Sequence, residues 1–191
     1  MKPVHDRAFK EWAVACEAMA EGRQILLIRK GGIREEGNTF TVNDPEFFLL
    51  PTYEHQNASL LQPPYVPKLE AIQAAPHDPT TVTMRSYAVV DTILVARDDE
   101  QVNAVAQETI WNATYVNQRF DFNPYDPLYL VLLRVHNLPE PVTIPMRSAY
   151  EGCKSWVTLE EPISTEGATP AIPDAEFARR REAVLSELKR R

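Results

Sequence analysis

Three short stretches of the sequence concentrate side chains that could bind a ligand or take part in chemistry. Residues 29–32 are two cationic residues followed by two glycines. The cationic side chains suit an anionic ligand, and the glycines allow positive φ angles or close approach of another backbone. Residues 53–56 include a histidine, which could act as a general base or donate to a phosphate. Residues 147–156 mix cations with aromatic rings, the composition that clamps a phosphate and stacks a base. The candidate binding residues are Arg29, Lys30, Gly31, Gly32, Tyr53, Glu54, His55, Gln56, Arg147, Tyr150, Cys153, Lys154 and Trp156.

Each stretch also has a purely structural interpretation. Arg29 and Lys30 could be the solvated end of a strand, and His55 could be a hydrogen-bonded structural histidine. Cys153 stands beside Lys154, which could lower the pKa of its thiol, but a cysteine nucleophile with His55 as its base requires the two to meet in space. Cys16 lies among apolar residues at helical spacing, which favours a small core residue.

The carboxylates allow a second chemistry. Glu35, Glu36 and Glu54 could hold a divalent ion near Lys30, as in a metal-dependent nuclease or phosphoesterase, but the sequence favours a charged loop for Glu35 and Glu36. The phosphate loop, the dinucleotide fingerprint, GxSxG and HExxH are absent. The histidines at positions 5, 55, 77 and 136 have no metal-ligand spacing, so we predict no metal site and no resident cofactor.

The bulk properties restrict the partners. A net charge of −7 and a pI near 5.2 predict weak non-specific attraction to nucleic acid, so any affinity should come from a defined pocket. The two cysteines lie far apart and indicate no disulfide framework. No leader-type apolar segment and no run of membrane-spanning length is present, so we expect a cytoplasmic protein without membrane contact.

Hydrophobic periodicity and turn residues predict the elements that must position these side chains. Asp6 is the expected N-cap of the first helix and Gly22 its stop, and Pro51 is expected to end the third strand. We predict helices over residues 6–21, 68–75 and 98–119, strands over 24–29, around 40–42, and over 47–50, 81–97, 128–136, 142–144 and 155–159, and a last helix from residue 174.

This order does not alternate as in a doubly wound sheet, so the sequence predicts an α+β fold. We expect a mixed, strongly bent sheet or small barrel with outer helices and a C-terminal helix. Residues 1–161 are expected to form one domain. The proline-rich connection 57–80 could divide this domain into two halves. Residues 162–173 are expected to be a linker, and 174–191 a basic amphipathic helix able to touch nucleic acid or an acidic partner. If strands 24–29 and 47–50 are neighbours, their two polar clusters face one cleft.

Four segments together resemble an uncharacterised bacterial family, one of the domains of unknown function. They are KEWAVA at 10–15, LIRKGGIRE at 27–35, LPTYEHQ at 50–56 and YEGCKSW at 150–156. The resemblance spans roughly residues 8 to 160 and includes all three candidate stretches. It implies no activity, but some members look to be joined to Mrr-type restriction endonuclease domains, which implies restriction or DNA handling.

These observations support a nucleotide- or nucleic-acid-binding module as the first functional hypothesis. The alternatives are a protein-interaction or assembly factor without a ligand, docking through its surface helices, and the metal-dependent nuclease or phosphoesterase described above.

Overall fold

The structure, a computed structural model, describes residues 3–30, 34–36, 39–41, 44–122, 125–152 and 154–189. Two of the described helices begin after a capping side chain: Asp98 accepts a hydrogen bond from Gln101 N, and Asn112 accepts one from Tyr115 N. In chain order the elements are β1 (Val4–Trp12), α1 (Ala13–Ala20), β2 (Leu26–Lys30), β3 (Arg34–Glu36), β4 (Thr39–Thr41), β5 (Glu46–Thr52), α2 (Val66–Ala74), β6 (Thr81–Ala96), α3 (Asp99–Ala104), α4 (Ala113–Asp121), β7 (Leu128–Pro145), β8 (Trp156–Ser164), β9 (Thr169–Pro170) and α5 (Asp174–Lys189).

Seven of the strands form one mixed sheet. Its order is β2-β7-β6-β5-β1-β8, with β9 added to β7, while β3 and β4 pair separately. β1 and β5 run parallel, and the other pairs are antiparallel. The predicted α+β class, mixed sheet and C-terminal helix are confirmed. The prediction allowed a bent sheet or a small barrel. The described strands form an open sheet, because the two edge strands, β2 and β8, do not pair with each other.

Bulges in the long β6–β7 pair bend the sheet. The register passes from Met84 opposite Val142 to Ser86 opposite Asn137, so residues 138–141 lie across from Arg85 alone. Pro139 and Pro141 belong to this bulge, where a missing N–H does not interrupt the ladder. For that reason residues 128–145 form one strand, where the prolines had predicted a corner between two.

Apolar residues cover both faces of the sheet. The larger core packs α1, α3, α4 and α5 against one face, with Phe177 and Val184 of α5 buried in it. The smaller core, around Phe48 and Tyr87, covers the other face. Residues 162–173, expected as a linker, contain the end of β8 and all of β9. Among the described helices, none combines the length and apolar character that a membrane crossing requires.

The first predicted helix is wrong over its first half. Residues 6–12 belong to β1, which pairs with β5 on one side and β8 on the other, and only Ala13–Ala20 is helical. Apolar residues at helical spacing also suit a strand that is covered on both faces, so tertiary pairing decided the outcome. Asp6 is therefore no N-cap, whereas Gly22 does end the helix region, with a φ of +69°.

Two further boundaries differ from prediction. Pro51 lies inside β5, at a point where β1 still pairs with the strand but β6, whose register ends at Phe48, does not. The helix predicted over 98–119 is broken, since residues 109–112 form a bridge with residues 60–62 through Leu61 and Trp111. α3 ends before this bridge and α4 begins after it, capped by Asn112.

Candidate functional site

The parallel pair β1 and β5 places two strand ends side by side. Trp12 and Thr52 are the last paired residues of the two strands, so the residues that follow β1 and β5 leave the sheet side by side at the carboxyl ends of these strands. α1 begins directly after Trp12, and the predicted segment 53–56 begins directly after Thr52. The second candidate stretch and the first turn of α1 therefore lie side by side at the carboxyl ends of β1 and β5.

An exposed aromatic pair lies near the carboxyl ends of β1 and β5. The ring of Tyr53 stacks on the ring of His77, with 4.7 Å between centroids and 16° between planes. Tyr53 is 38% exposed, and His77, in the connection between α2 and β6, is exposed as well. We call these two residues the Tyr53–His77 platform. Because its rings are accessible rather than packed into the core, the platform can offer a stacking surface to a planar ligand.

Two clefts share the platform as part of their walls. The α1 cleft, about 310 Å³, also has Cys16, Glu17 and Arg85 in its lining. The Lys10 cleft, about 370 Å³, is lined on the other side by Lys10, Glu54, Glu151 and Gly152. The second and third candidate stretches therefore meet in the Lys10 cleft.

Lys10 ties the third stretch to β1. Its Nζ donates to the carbonyl oxygens of Tyr150 at 2.8 Å and Gly152 at 2.7 Å. An ammonium group has three N–H donors, so one remains for a ligand. The side chain thus shapes the wall of the Lys10 cleft and keeps a positive charge there.

The electrostatics of the α1 cleft keep the Cys16 thiol and the Tyr53 hydroxyl protonated. Burial, with the nearby charges of Glu11 and Glu17, raises the pKa of the Cys16 thiol well above its ordinary value. Burial likewise raises the pKa of Tyr53, which Arg85 opposes. Cys16 is a buried, neutral thiol, as the sequence predicted for a core residue, and it supplies no thiolate nucleophile.

The other members of the second stretch have separate environments. Gln56 Oε1 accepts from Val14 N at 3.2 Å, so this side chain supports the first turn of α1. Glu54 and His55 are exposed in a turn, and His55 has a φ of +59°. Tyr53 and His55 do not alternate along a strand, because β5 ends at Thr52 and the chain turns immediately.

The third stretch is largely structural. Arg147 Nε donates to Glu160 Oε2 at 2.9 Å in an exposed ion pair. Tyr150 is buried, and its hydroxyl accepts from Glu160 N at 2.9 Å. Lys154 is exposed. Three candidates, Gly31, Gly32 and Cys153, lie outside the described residues, as do the side chains of Glu35 and Glu36.

The first stretch meets the end of the third on the opposite face of β1. The Arg29 guanidinium lies 4.7 Å above the Phe9 ring, and its Nη1 is 3.3 Å from Ser155 Oγ. Trp156 contacts the same phenylalanine edge-on, with 5.0 Å between centroids. Lys30 Nζ donates to the carbonyl oxygens of Phe120, in the last turn of α4, and of Asp126, in the connection that follows.

The strands predicted over 24–29 and 47–50 are not neighbours, so the condition for one shared cleft is not met. β7 and β6 lie between β2 and β5, so strand pairing does not bring the first and second stretches into one cleft. Each stretch instead meets a different part of residues 150–156, on opposite faces of β1. Residues 150–156 therefore meet the second stretch in the Lys10 cleft and contact the first stretch at Arg29.

The sequence did not mark several residues of this region as site residues, although Lys10 belongs to the KEWAVA segment of the family resemblance. Lys10 and His77 come from a strand and a loop that are distant from Tyr53 in the chain, and Arg85 lies at a bulge. The one sequence signal for His77 is its position in the proline-rich connection 57–80, where a side chain is expected to be exposed. Within the described part of the chain, no group of three or more His, Cys, Asp or Glu side chains is placed to hold a metal ion.

The chain belongs to the family described as Domain of unknown function (DUF1802), whose model matches residues 8–183. Membership of a family of unknown function, predicted from the four segments, is thereby confirmed. Among curated proteins, none matches the sequence.

Solved structures of one bacterial protein are similar to this chain. ASCH from Zymomonas mobilis has a TM-score of 0.44 at 12% identity, covering 93% of this chain and 93% of that one. A serine-to-alanine mutant of the same protein gives 0.43 at 12% identity, covering 81% and 88%. A tyrosine-to-phenylalanine mutant gives 0.42 at 12% identity, covering 81% and 90%.

Proposed function

We propose that this protein is a binding module for single-stranded nucleic acid or a nucleotide, with a base stacked on the Tyr53–His77 platform. The observation that carries the proposal is an exposed, already stacked aromatic pair between two clefts. Stacking on an aromatic side chain contributes roughly 1–3 kcal/mol per base and tolerates any base, because every base has a π face.

The clefts supply room and polar groups on both sides of the platform. Volumes of about 310 and 370 Å³ fall at the lower end of the range for small-molecule sites. Lys10 offers its remaining N–H in one cleft. Arg85 is exposed in the other and makes no hydrogen bond or ion pair with any described residue. These two cations suit the phosphates on either side of a stacked nucleotide.

Carboxylates among the lining residues argue against binding by charge alone. Glu17 lines the α1 cleft, and Glu54 and Glu151 line the Lys10 cleft. They repel phosphate, but a carboxylate can accept hydrogen bonds from the exocyclic amines of a base. With a net charge of −7, the protein should gain affinity from stacking and base contacts rather than from the polyanionic backbone.

DNA is the first nucleic acid to test. The resemblance to a family with members that look to be joined to Mrr-type restriction endonuclease domains implies DNA handling. A protein allied to restriction could use such a platform to hold a base that has left the duplex stack. We therefore expect single-stranded DNA to bind more tightly than the matching duplex.

Fluorescence anisotropy with labelled single- and double-stranded DNA and RNA of equal length, at two salt concentrations, tests the proposal. Tyr53→Ala and His77→Ala should each weaken single-strand binding by about 1–3 kcal/mol, or roughly 5- to 150-fold. Tyr53→Phe should keep most of the affinity, because it retains the ring. Tyr125→Ala is the matched control, since Tyr125 is 94% exposed and lines neither cleft.

Two results would overturn the proposal. One is the absence of binding at micromolar protein, which would favour the protein-interaction alternative and lead to pull-down experiments. The other is binding that Tyr53→Ala and His77→Ala leave as strong as Tyr125→Ala does. Shortened oligonucleotides on a gel after incubation with Mg²⁺ would instead favour the nuclease alternative.

A further inference from the structure

Three hydrogen-bonded side chains lie at the amino ends of β1 and β5, far from the platform at the carboxyl ends of these strands. His5 is in β1, Glu46 is the first residue of β5, and Tyr87 is in β6, so three neighbouring strands contribute one residue each. The Tyr87 hydroxyl lies 2.6 Å from Nε2 of His5 and donates to Oε2 of Glu46. The same carboxylate oxygen is 3.1 Å from His5 Nε2.

These contacts assign the proton of the His5 ring. An ionised carboxylate only accepts hydrogen bonds, so Nε2 of His5 carries the hydrogen in its bond with Glu46. Tyr87 donates its own hydrogen to Glu46, and burial together with this bond raises the pKa of Tyr87, so the hydroxyl keeps its proton. In the neutral imidazole with a hydrogen on Nε2, the other nitrogen has a lone pair. Nδ1 of His5 is therefore a hydrogen-bond acceptor.

This nitrogen opens into a cleft. His5 is only 6% exposed, and its Nδ1 makes no hydrogen bond with any described residue, yet solvent reaches this atom. The space that His5 lines is a cleft of about 330 Å³, at the lower end of the range for small-molecule sites. We call it the His5 cleft. An otherwise buried ring therefore presents its unpaired nitrogen to this space.

A large bulge in the sheet lies at the same point. The register of β1 with β8 shifts between His5 and Arg7, so residues 159–162 of β8 lie across from Asp6 alone. Pro162, at the end of this bulge, is one of the residues that line the His5 cleft. Bulges interrupt strand pairing and re-aim side chains, and they are common next to functional sites. The bulge thus gives His5 a neighbouring space that regular pairing would close.

Carboxylates beside Nδ1 add further hydrogen-bond acceptors to the lining. Asp6 is exposed, and its carboxylate makes no hydrogen bond or ion pair with a described residue. Asp44 accepts from Arg7 Nε at 2.9 Å through Oδ2, and its Oδ1 has no partner among the described residues. Arg7 also donates to Thr158 Oγ1, so this cation is already held within the protein. Among the lining residues, carboxylates outnumber guanidinium groups three to one, which leaves an excess of negative charge.

We propose that the His5 cleft binds a ligand that carries a primary ammonium group. Such a group has three N–H donors and a positive charge. Nδ1 of His5 and the carboxylate oxygens of Asp6 and Asp44 supply three acceptors, and hydrogen bonds to the two carboxylates are charge-assisted. A phosphate or carboxylate ligand would be repelled by the same oxygens. The site goes beyond the proposed function, because the cleft and the platform lie at opposite ends of β1.

The ammonium group could belong to a free aliphatic amine or to a lysine side chain, and isothermal titration calorimetry separates the two sources. The probes are n-butylammonium, diaminobutane, a lysine blocked at both its amino and carboxyl ends, and butyltrimethylammonium, which has the charge without an N–H. Tighter binding of the blocked lysine assigns a lysine side chain, and tighter binding of diaminobutane assigns a free amine. If no amine binds at millimolar concentration, or butyltrimethylammonium binds as tightly as n-butylammonium, the proposal is wrong.

Two substitutions and one control make the test specific. Asp6→Asn should weaken n-butylammonium binding roughly tenfold, because it removes a charged acceptor without changing the size of the side chain. His5→Phe should weaken it several-fold, since it keeps a ring but removes Nδ1. Asp121→Asn makes the same charge change at an exposed position of α4 that does not line the His5 cleft, and should have no effect.

Nitrogen NMR of the imidazole rings gives a readout that a structural histidine would not change. The free protein should show His5 with its hydrogen on Nε2, and n-butylammonium should shift the Nδ1 resonance of His5 while leaving that of His77 in place. Thermal unfolding checks each variant, and Asp6→Asn carries the test if His5→Phe does not fold. Equal affinities of Asp6→Asn and Asp121→Asn, or an unmoved His5 Nδ1 resonance, would overturn the proposal.

Discussion

Arg29 Nη1 lies 3.3 Å from Ser155 Oγ, although the two residues belong to opposite edges of the sheet. Arg29 is in β2, at one end of the strand order, and Ser155 directly precedes β8, at the other end. Backbone pairing between β2 and β8 is absent from the described strands, so the curled sheet brings its edges together through side chains alone. This curvature unites the first candidate stretch with the end of the third.

Gly22 should tolerate no side chain. Its φ is +69°, and an added Cβ would lie 2.1 Å from Ile172 Cγ2 and 3.3 Å from the carbonyl oxygen of Ala171. We expect Gly22→Ala to lower the free energy of unfolding by roughly 2–4 kcal/mol, from backbone strain together with overpacking. Gly152→Ala is the control, because its φ is +76° but nothing lies within 4 Å of the added Cβ. Urea unfolding should show a loss of only about 1–2 kcal/mol there, and equal losses would contradict the prediction.

Arg180 should be a major stabilising contact of α5. Its partner Glu108 has a side chain only 7% exposed, so Arg180→Ala leaves a buried carboxylate without its counter-charge. We expect a loss of about 3–5 kcal/mol in the free energy of unfolding. Arg179→Ala, one residue earlier and exposed, should stay within about 0.5 kcal/mol of the unmodified protein. A loss below about 1 kcal/mol in Arg180→Ala would show that α5 is not held in this way.

Tyr115 should make the protein less stable at alkaline pH. Burial, with the charge of Glu11, raises the pKa of Tyr115 to about 12, against an ordinary value of 10.0. Between these pH values the unfolded chain has lost the phenolic proton and the folded chain keeps it, so stability falls as pH rises, by about 1.4 kcal/mol per pH unit. Below that window the group has no pH-dependent effect.

Tyr115→Phe should reduce this alkaline slope, measured by urea unfolding at pH values from about 9 to 12. Part of the slope should remain in Tyr115→Phe, because burial and the hydrogen bond to Glu46 also raise the pKa of Tyr87. A slope that is identical in the two proteins would contradict the assignment.

Arg85 should contribute to the salt dependence of nucleic-acid binding. Each phosphate neutralised on a single strand contributes about −0.7 to the slope of log K against log salt concentration. Arg85→Gln should make the slope less negative by about 0.7, because this exposed cation lines the α1 cleft and has no partner among the described residues. Arg179→Gln should leave the slope unchanged. Equal slopes in all three proteins would place the bound strand away from the α1 cleft.

Local pattern was sufficient for much of the secondary structure. The pattern over residues 81–97 predicted one long strand, and β6 is that strand. The apolar residues that follow Asp174 at helical spacing predicted a last helix from residue 174, and α5 is that helix. These signals depend on residues a few positions apart, whose spacing directly determines which face of an element is apolar.

The break between α3 and α4 shows where local pattern fails. The apolar stripe of residues 102–116 continues through it, so periodicity alone predicts one helix. Gln62 Nε2, however, donates to the carbonyl oxygens of Ala106, Thr109 and Trp111, at 2.9, 2.9 and 3.1 Å. Those three acceptors are satisfied by a side chain more than forty residues away in sequence, which no helical periodicity can reveal.

The sequence alone determined the α+β class, the family, and the presence of Tyr53 and Arg29 among the candidate residues. The tertiary structure decided their neighbours: His77 stacks on Tyr53, Lys10 lines the cleft beside it, and Ser155 meets Arg29. The physical reason is that a strand's own residues specify which faces must be buried, whereas its partners depend on how all the buried faces pack together. The parallel pairing of β1 with β5 is an outcome of that packing, and the position of the Tyr53–His77 platform depends on it.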